Sequence, residues 1–209
     1  MKTMRQLAFL VALVLAWGGV SYAQTSRVEL DNRRAAVAET NLGNLVADAL
    51  RAQGQAQLAF VTATDLKAAL FPAGAIDQGV LTYPDDKLVV MTLTGSQVQQ
   101  ALERSVSLLP LPNKGFLQVS GLNVWYNVNG PAGQRVMRVL LAGNRPLDPA
   151  ATYKVAMPHS LARGAAGYFR VFRGAPTTDT GKTLGSALLA YLQAQGAVSP
   201  RIEGRVRSV

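Results

Sequence analysis

The clearest hydrophobic pattern lies in residues 39–54, where apolar side chains recur three and four positions apart. They are Leu42, Leu45, Val46, Ala49 and Leu50. This spacing predicts an amphipathic helix with one buried face. Thr40 or Asn41 is a suitable N-cap, and Glu39 places negative charge at the positive end of the helix dipole. Gly54 is expected to end the helix in a left-handed conformation.

Similar patterns predict the other elements of a mixed α/β domain. β-branched and apolar runs indicate strands at residues 58–61, 87–94, 116–128, 134–141, 152–157 and 201–206. Further helices are expected from Gly95-Ser96 onward and over residues 183–194, with one or two helical turns in residues 65–71. Residues 83–86 read as a tight turn, and two prolines make residues 108–113 a loop. Helices that alternate with strands favour the α/β class.

The first 23 residues have the pattern of a signal peptide. Lys2 and Arg5 precede an apolar run that is short for a membrane span, and Ser21-Tyr22-Ala23 offers a small-residue cleavage site. Two segments are therefore expected: a signal peptide over residues 1–23 and a single domain over residues 24–209. An uncleaved anchor is the alternative. The expected location is the periplasm, the cell envelope or the extracellular space, with no integral membrane span after cleavage.

Net charge and cysteine content say little about the function of the chain. Losing Lys2 and Arg5 lowers the formal net charge from +9 to +7, and the remaining charges are scattered, which favours a basic surface over a nucleic-acid site. The chain contains no cysteine, so its core forms without disulfides.

The sequence offers few candidates for catalytic or metal-binding residues. A dimetal hydrolase needs clustered imidazole and carboxylate ligands, whereas this chain has one histidine, His159, expected in a loop or at the surface. Asp85-Asp86 reads as a solvated turn rather than a metal site, and no glycine-rich phosphate loop is present. No catalytic residue, metal ligand or cofactor is expected.

Several strings, in order along the chain, resemble the C-terminal domain of the secreted 5'-nucleotidase family. They are Glu39-Thr40-Asn41-Leu42-Gly43-Asn44, Ala59-Phe60-Val61, residues 88–95, residues 115–122, Pro146-Leu147-Asp148-Pro149, residues 164–168 and residues 200–205. The resemblance implies a layered α/β/β/α domain with mixed sheets. It also implies that hydrolysis belongs to a preceding metallophosphoesterase domain, which we expect this chain to lack.

In the family, the C-terminal domain holds the nucleoside through an asparagine and an arginine of one loop. These positions match Thr62 and Lys67, in a loop that has lost the family's glycine pair. A lysine cannot reproduce the planar fork of a guanidinium group.

The resemblance also implies two aromatic rings that sandwich the base and an aspartate that binds the ribose. The ring positions match Asp85 and Ser160, and the aspartate matches Ala166. Because the segment before Leu88 is shorter than in the family, Tyr83 is the alternative for the first ring. Tyr83 and Tyr168 are otherwise interpreted as packing residues. Since stacking on an aromatic ring contributes about 1–3 kcal/mol per base, these changes make nucleoside or nucleotide binding doubtful.

Three functions remain open at this point. The chain could be an exported, non-catalytic binding or accessory module, and this is the interpretation we favour. It could instead be a subunit of a nucleotide-hydrolysing complex whose metallophosphoesterase is a separate chain. The third alternative is a structural protein of the envelope that reuses the fold.

Overall fold

The computed structural model describes residues 24–209. The predicted signal peptide, residues 1–23, lies outside the described residues. Between residues 24 and 209, no helix has both the length and the apolar character needed to cross a membrane.

Three long helices begin at threonine N-caps, as the sequence pattern predicts for the first of them. Thr40 Oγ1 accepts a hydrogen bond from the backbone N–H of Gly43, and Thr94 and Thr183 cap the other two in the same way. The helices are α1 (Asn41–Gln53), α2 (Gly95–Val106), α3 (His159–Ala162), α4 (Phe169–Phe172) and α5 (Leu184–Gln195).

The strands of the described chain are short, and most alternate in the direction of their side chains. In chain order they are β1 (Thr25–Ser26), β2 (Leu30–Asp31), β3 (Leu58–Thr62), β4 (Leu70–Phe71), β5 (Gly74–Ala75), β6 (Lys87–Thr94), β7 (Leu117–Ser120), β8 (Leu122–Tyr126), β9 (Val136–Leu141), β10 (Arg145–Pro146), β11 (Thr152–Pro158), β12 (Thr177–Thr183), β13 (Ala197–Val198) and β14 (Val206–Ser208).

A mixed five-stranded sheet forms the centre, in the order β12-β6-β11-β3-β7. Within it β3 and β11 are parallel neighbours, and the other pairs are antiparallel. A four-stranded sheet has the order β10-β9-β8-β14. Two small sheets, β13-β1-β5 and β2-β4, complete the pairing. The predicted mixed α/β class is confirmed.

Alternation along β3 shows how the central sheet supports two cores. Leu58 and Phe60 face a core shared with α2 and the four-stranded sheet, whereas Ala59 and Val61 face a core shared with α1 and α5. Because both faces are covered, β3 is buried along its whole length. The predicted burial of Leu45 and Val46 is confirmed, and Leu188 of α5 is also fully buried.

Three helical or strand predictions are wrong in detail. Gly54 has φ −82°, and the left-handed residue that follows α1 is Gln55, at φ 49°. Residues 65–71 are not helical turns, because Ala63–Asp65 forms a single 3₁₀ turn and Leu70–Phe71 pairs with β2. The closing strand covers Val206–Ser208 rather than residues 201–206.

The predicted strand over residues 116–128 is divided. Gly121, at φ 86°, separates β7 from β8, and its missing Cβ leaves room for the backbone carbonyl of Gln57. The chain thereby passes from the central sheet to the four-stranded sheet.

Two aromatic residues of the predicted strand over residues 116–128, Phe116 and Trp125, have different environments. Phe116 is fully buried. Trp125 is half-buried instead, because its ring lies between the guanidinium groups of Arg138 and Arg207, whose Cζ atoms are 4.2 and 4.7 Å from the ring centroid.

Candidate functional site

An open cavity of about 720 Å³ lies at the edge where the parallel strands β3 and β11 end. Ligands in α/β proteins often bind at the carboxyl ends of parallel strands, and small-molecule pockets typically measure about 300–1,000 Å³. The lining residues are Thr62, Thr64, Asp65, Thr82, Tyr83, Pro84, Asp85, Asp86, Lys114, Ser160, Leu161, Ala165 and Ala166.

The structure brings together five of the six positions that the family resemblance singled out. Thr62, Tyr83, Asp85, Ser160 and Ala166 all line this cavity. They come from four separate stretches of the chain.

Lys67, the sixth position, is not among the lining residues. Its side chain is exposed. Its backbone N–H donates a hydrogen bond to the carbonyl of Val80, and its carbonyl accepts one from the side-chain amide of Asn32. Its positive charge is therefore placed outside the cavity wall.

Asp65 has the most constrained side chain of the wall. Its Oδ2 accepts hydrogen bonds from both the backbone N–H and the hydroxyl of Thr62, at 2.8 and 2.6 Å. Its backbone carbonyl accepts from the N–H of Thr82, which joins two sides of the cavity. Burial raises the pKa of Asp65 above its ordinary value, although the two hydrogen bonds from Thr62 act in the opposite direction.

The predicted tight turn over residues 83–86 is confirmed and forms the opposite wall. The N–H of Asp86 donates to the carbonyl of Tyr83 at 3.2 Å. The carboxylate of Asp86 accepts from the N–H of Lys87 at 2.8 Å and from the N–H of Ser160 at 3.2 Å. This contact fixes the start of α3 against the turn. His159, the first residue of α3, is half-buried.

The last part of the wall is Ala165–Ala166, where Ala166 has φ 55° and ψ 23°. This left-handed conformation is uncommon for alanine, and asparagine and aspartate adopt it more readily. The carbonyl of Ala166 accepts a hydrogen bond from Arg104 Nη2 at 2.8 Å. An aspartate would suit this backbone, and the methyl group of alanine leaves the wall without a polar side chain here.

Tyr83 and Tyr168, both interpreted as packing residues, differ in the structure. Tyr168 is fully buried, donates its hydroxyl to the carbonyl of Gly115 at 2.6 Å and stacks on Phe172. Tyr83 is 51% exposed and lines the cavity, so the packing interpretation is wrong for this residue.

Sequence reasoning missed Asp65 and Lys114 as residues of the site. Asp65 had a usable signal, because Thr62 and Asp65 have the spacing of a capping box, and the carboxylate of Asp65 accepts the backbone N–H of Thr62 as in that motif. Lys114 had none, since it lies in the loop between α2 and β7. Among the residues that the structure describes, no group of three or more histidine or acidic side chains is placed to hold a metal ion.

Comparison with known proteins agrees with this architecture. The family model described as "5'-nucleotidase, C-terminal domain" matches residues 19–174. The chain therefore belongs to the 5'-nucleotidase family and represents its C-terminal domain.

Three relatives illustrate the similarity. The 5'-nucleotidase precursor of Thermus thermophilus superposes with a TM-score of 0.83 at 32% identity, over 90% of this chain and 39% of that chain. The trifunctional nucleotide phosphoesterase protein YfkN of Bacillus subtilis is 29% identical over 87% of this chain and 13% of its own length. Snake venom 5'-nucleotidase of Naja atra is 31% identical over 73% of this chain and 28% of its own.

The chain thus spans well under half the length of each of these relatives. The predicted assignment to the family's C-terminal domain is confirmed by the family match and by the structural superposition.

Proposed function

We propose that residues 24–209 act as an exported small-molecule-binding module with no hydrolytic centre of its own. The observation that carries this proposal is the convergence of Thr62, Tyr83, Asp85, Ser160 and Ala166 on one cavity of about 720 Å³. A cavity is present where the resemblance places the nucleoside, but its side chains differ from those of the family.

The chain's composition supports the absence of a hydrolytic centre. A two-metal phosphoesterase site requires several imidazole and carboxylate ligands in one place. A single histidine in 209 residues falls short of such a set.

Phosphate release from AMP is the direct test of this part. The purified domain, supplied with Mg²⁺ or Mn²⁺, is expected to release no more phosphate than a mock purification from cells that do not express it. Activity that follows this chain through several chromatographic steps would contradict the proposal.

The changed side chains also lead us to propose that the family's nucleoside site is lost. Asp85 places negative charge where a nucleotide phosphate would be repelled, and Ala166 offers no carboxylate to a ribose. We expect adenosine and AMP to bind more weakly than about 1 mM, which is roughly −4 kcal/mol.

Calorimetric titration of adenosine into the domain measures this affinity, with Tyr83→Ala as the matched variant. A saturating isotherm in the micromolar range that Tyr83→Ala abolishes would show that Tyr83 replaces the missing ring and that the nucleoside site survives.

Export is proposed from the leader pattern of residues 1–23 alone. The mature protein is expected to begin at or near Gln24. Intact-mass measurement of protein from the envelope fraction decides this, and a mass that includes residues 1–23 counts against cleavage.

The second candidate function is a subunit of a nucleotide-hydrolysing complex. It is favoured by one observation: the matched relatives are much longer than this chain, which covers 13–39% of their lengths. Co-purification with a separately encoded metallophosphoesterase chain, and AMP hydrolysis that requires both chains, would favour this candidate over the stand-alone module.

A further inference from the structure

The cavity wall has a charge opposite to that of the chain. The full sequence has a formal net charge of +9. The charged residues that line the cavity are nevertheless Asp65, Asp85, Asp86 and Lys114, three carboxylates against one ammonium group. A wall of this composition attracts cations and repels phosphate.

Asp65 gives this charge a defined position. The residue is 3% exposed, so water solvates its carboxylate poorly. Oδ2 is occupied by the two donors of Thr62, whereas Oδ1 accepts no hydrogen bond from the described residues. Oδ1 is also not among the fully enclosed, unpartnered atoms of the described chain, and Asp65 lines the cavity. The free oxygen is therefore not fully enclosed, and it belongs to a residue of the cavity wall.

The donors that Asp65 does have are neutral. An N–H and an O–H from Thr62 leave the net charge of the carboxylate uncompensated, whereas a cation would also attract that charge electrostatically. A ligand that brings a positively charged N–H group would supply the partner that the fold leaves out.

The other walls fit the body of such a ligand. Most of the surface that faces the cavity is apolar, and it includes Tyr83, Pro84 and Leu161. Tyr83 is half exposed, so its ring is available to an apolar or cationic group. Asp85 accepts no hydrogen bond from the described residues and adds negative charge at the exposed turn.

We propose that this cavity binds a small organic cation, with an ammonium or guanidinium N–H donating to Asp65 Oδ1 and an apolar body against Tyr83 and Leu161. The inference rests on the proposed binding function and names its ligand class. It assigns to the cavity a ligand class different from the nucleoside that the family resemblance implies.

Three probes of matched size test the charge requirement. We would titrate 2-phenylethylamine, 2-phenylethanol and 3-phenylpropionate into the domain at pH 7.5 in low salt and follow the heat of binding. The amine is expected to bind at least tenfold more tightly than the alcohol, and the carboxylate is expected to show no saturation.

Asp65→Asn tests whether the amine binds at the Asp65 carboxylate. Asparagine retains an oxygen for the two donors of Thr62, so the 3₁₀ turn is preserved, but its amide group cannot pair with a cation. The substitution should reduce amine affinity at least tenfold and leave alcohol affinity unchanged. Asp148→Asn is the matched control, because Asp148 is an exposed residue outside the cavity wall. It should alter neither affinity.

Lys114→Met provides a second test of the charge requirement if Asp65→Asn does not fold. Removing the one ammonium group of the wall should tighten amine binding, and an unchanged or weaker affinity would overturn the proposal. Displacement of the amine by millimolar CaCl₂, with no effect of equal ionic strength from NaCl, would also overturn it in favour of a metal cation.

The outcomes separate this inference from the binding function itself. If all three probes bind equally and Tyr83→Ala weakens them together, the cavity binds small molecules but not through charge. If no probe binds, and adenosine does not bind either, the proposed binding function fails along with the inference.

Discussion

Two aspartates of this domain, Asp48 and Asp65, have contrasting partners. Asp48, on α1, accepts hydrogen bonds from both terminal nitrogens of Arg205 at 2.8 Å, and Ser120 donates to the same carboxylate at 2.5 Å. Asp65, just after β3, is more deeply buried and receives two neutral donors from Thr62. One charge is paired within the fold, and the other is not.

The difference is also visible in the pKa values of the groups involved. Burial lowers the pKa of Arg205, but the hydrogen bonds and charges of Asp48 and Glu203 outweigh burial and raise it overall. For Asp65 burial prevails and raises the carboxyl pKa. The Asp48 charge is therefore neutralised by a cation within the fold, whereas the Asp65 charge has no such partner among the described residues, reduces stability and is available to a ligand.

Arg205→Met is expected to have the largest effect on stability. It leaves Asp48 without its cation and removes a hydrogen bond to the carbonyl of Val119. Losing one partner of a buried ion pair costs about 3–5 kcal/mol, and we expect the lower end because the Asp48 side chain is 27% exposed. Urea denaturation at pH 7 measures the loss.

The matched control is Asp48→Leu combined with Arg205→Met. Because the double variant buries no unpaired charge, it should be more stable than Arg205→Met alone. A loss below about 1 kcal/mol for the single variant would mean that the cluster is a surface pair of ordinary strength.

Leu188→Ala measures the stability that is lost when an apolar side chain, rather than a charged one, is removed from the core. Leu188 is fully buried on α5, in the core shared with α1, so its truncation should cost about 2–5 kcal/mol. Leu111→Ala, at a residue that is 69% exposed, is the control and should change the urea midpoint little. Equal effects of the two substitutions would show that the α5 face is not core.

Asp65→Asn should instead raise the stability of the domain, by a smaller amount than Arg205→Met and Leu188→Ala lower it. A carboxyl group whose pKa is raised in the folded state destabilises the fold above that pKa, and the penalty disappears as pH falls below the unfolded value. The variant is therefore expected to be more stable than the wild type at pH 7, and to lose that advantage near pH 3.

Thermal denaturation of both proteins across this pH range checks the sign. A variant that is less stable at pH 7 and no different at pH 3 would show that the Asp65 charge is compensated within the fold. The contrast with Asp48 would then be lost.

Tyr83→Ala should have the smallest effect on stability. An exposed side chain of a turn usually contributes within about 0.5 kcal/mol. Urea denaturation that shows a loss above about 2 kcal/mol would instead place the Tyr83 ring in the packing of the domain.

Much of the scaffold follows from local patterns. The 3.6-residue period of α1, its Thr40 cap and the β-branched run of β6 are all confirmed because packing agrees with local preference there. Strand β12 was missed, since Thr177–Thr183 is polar, largely exposed and pairs only along one edge with β6. An edge strand of that kind carries no alternation to detect.

The site and the charged clusters depend on distant parts of the chain. Asp48 and Arg205 are 157 positions apart, so no window of the sequence relates them. The buried role of Glu39 was likewise missed, because its carboxylate accepts the N–H groups of Glu203 and Val206 rather than simply facing the helix dipole. Family resemblance located five cavity residues, but it did not identify Asp65, whose buried carboxylate adds to the negative charge of the wall.

The pairing of Asp48 with Arg205 also has a consequence for biosynthesis. A ribosome that has released α1 and the central sheet has not yet released Arg205, which pairs with Asp48, the N–H donors to Glu39, or β14, which pairs with β8. Contacts between such distant positions form slowly and late. The nascent chain consequently completes these native contacts only after residues 203–208 emerge from the ribosome.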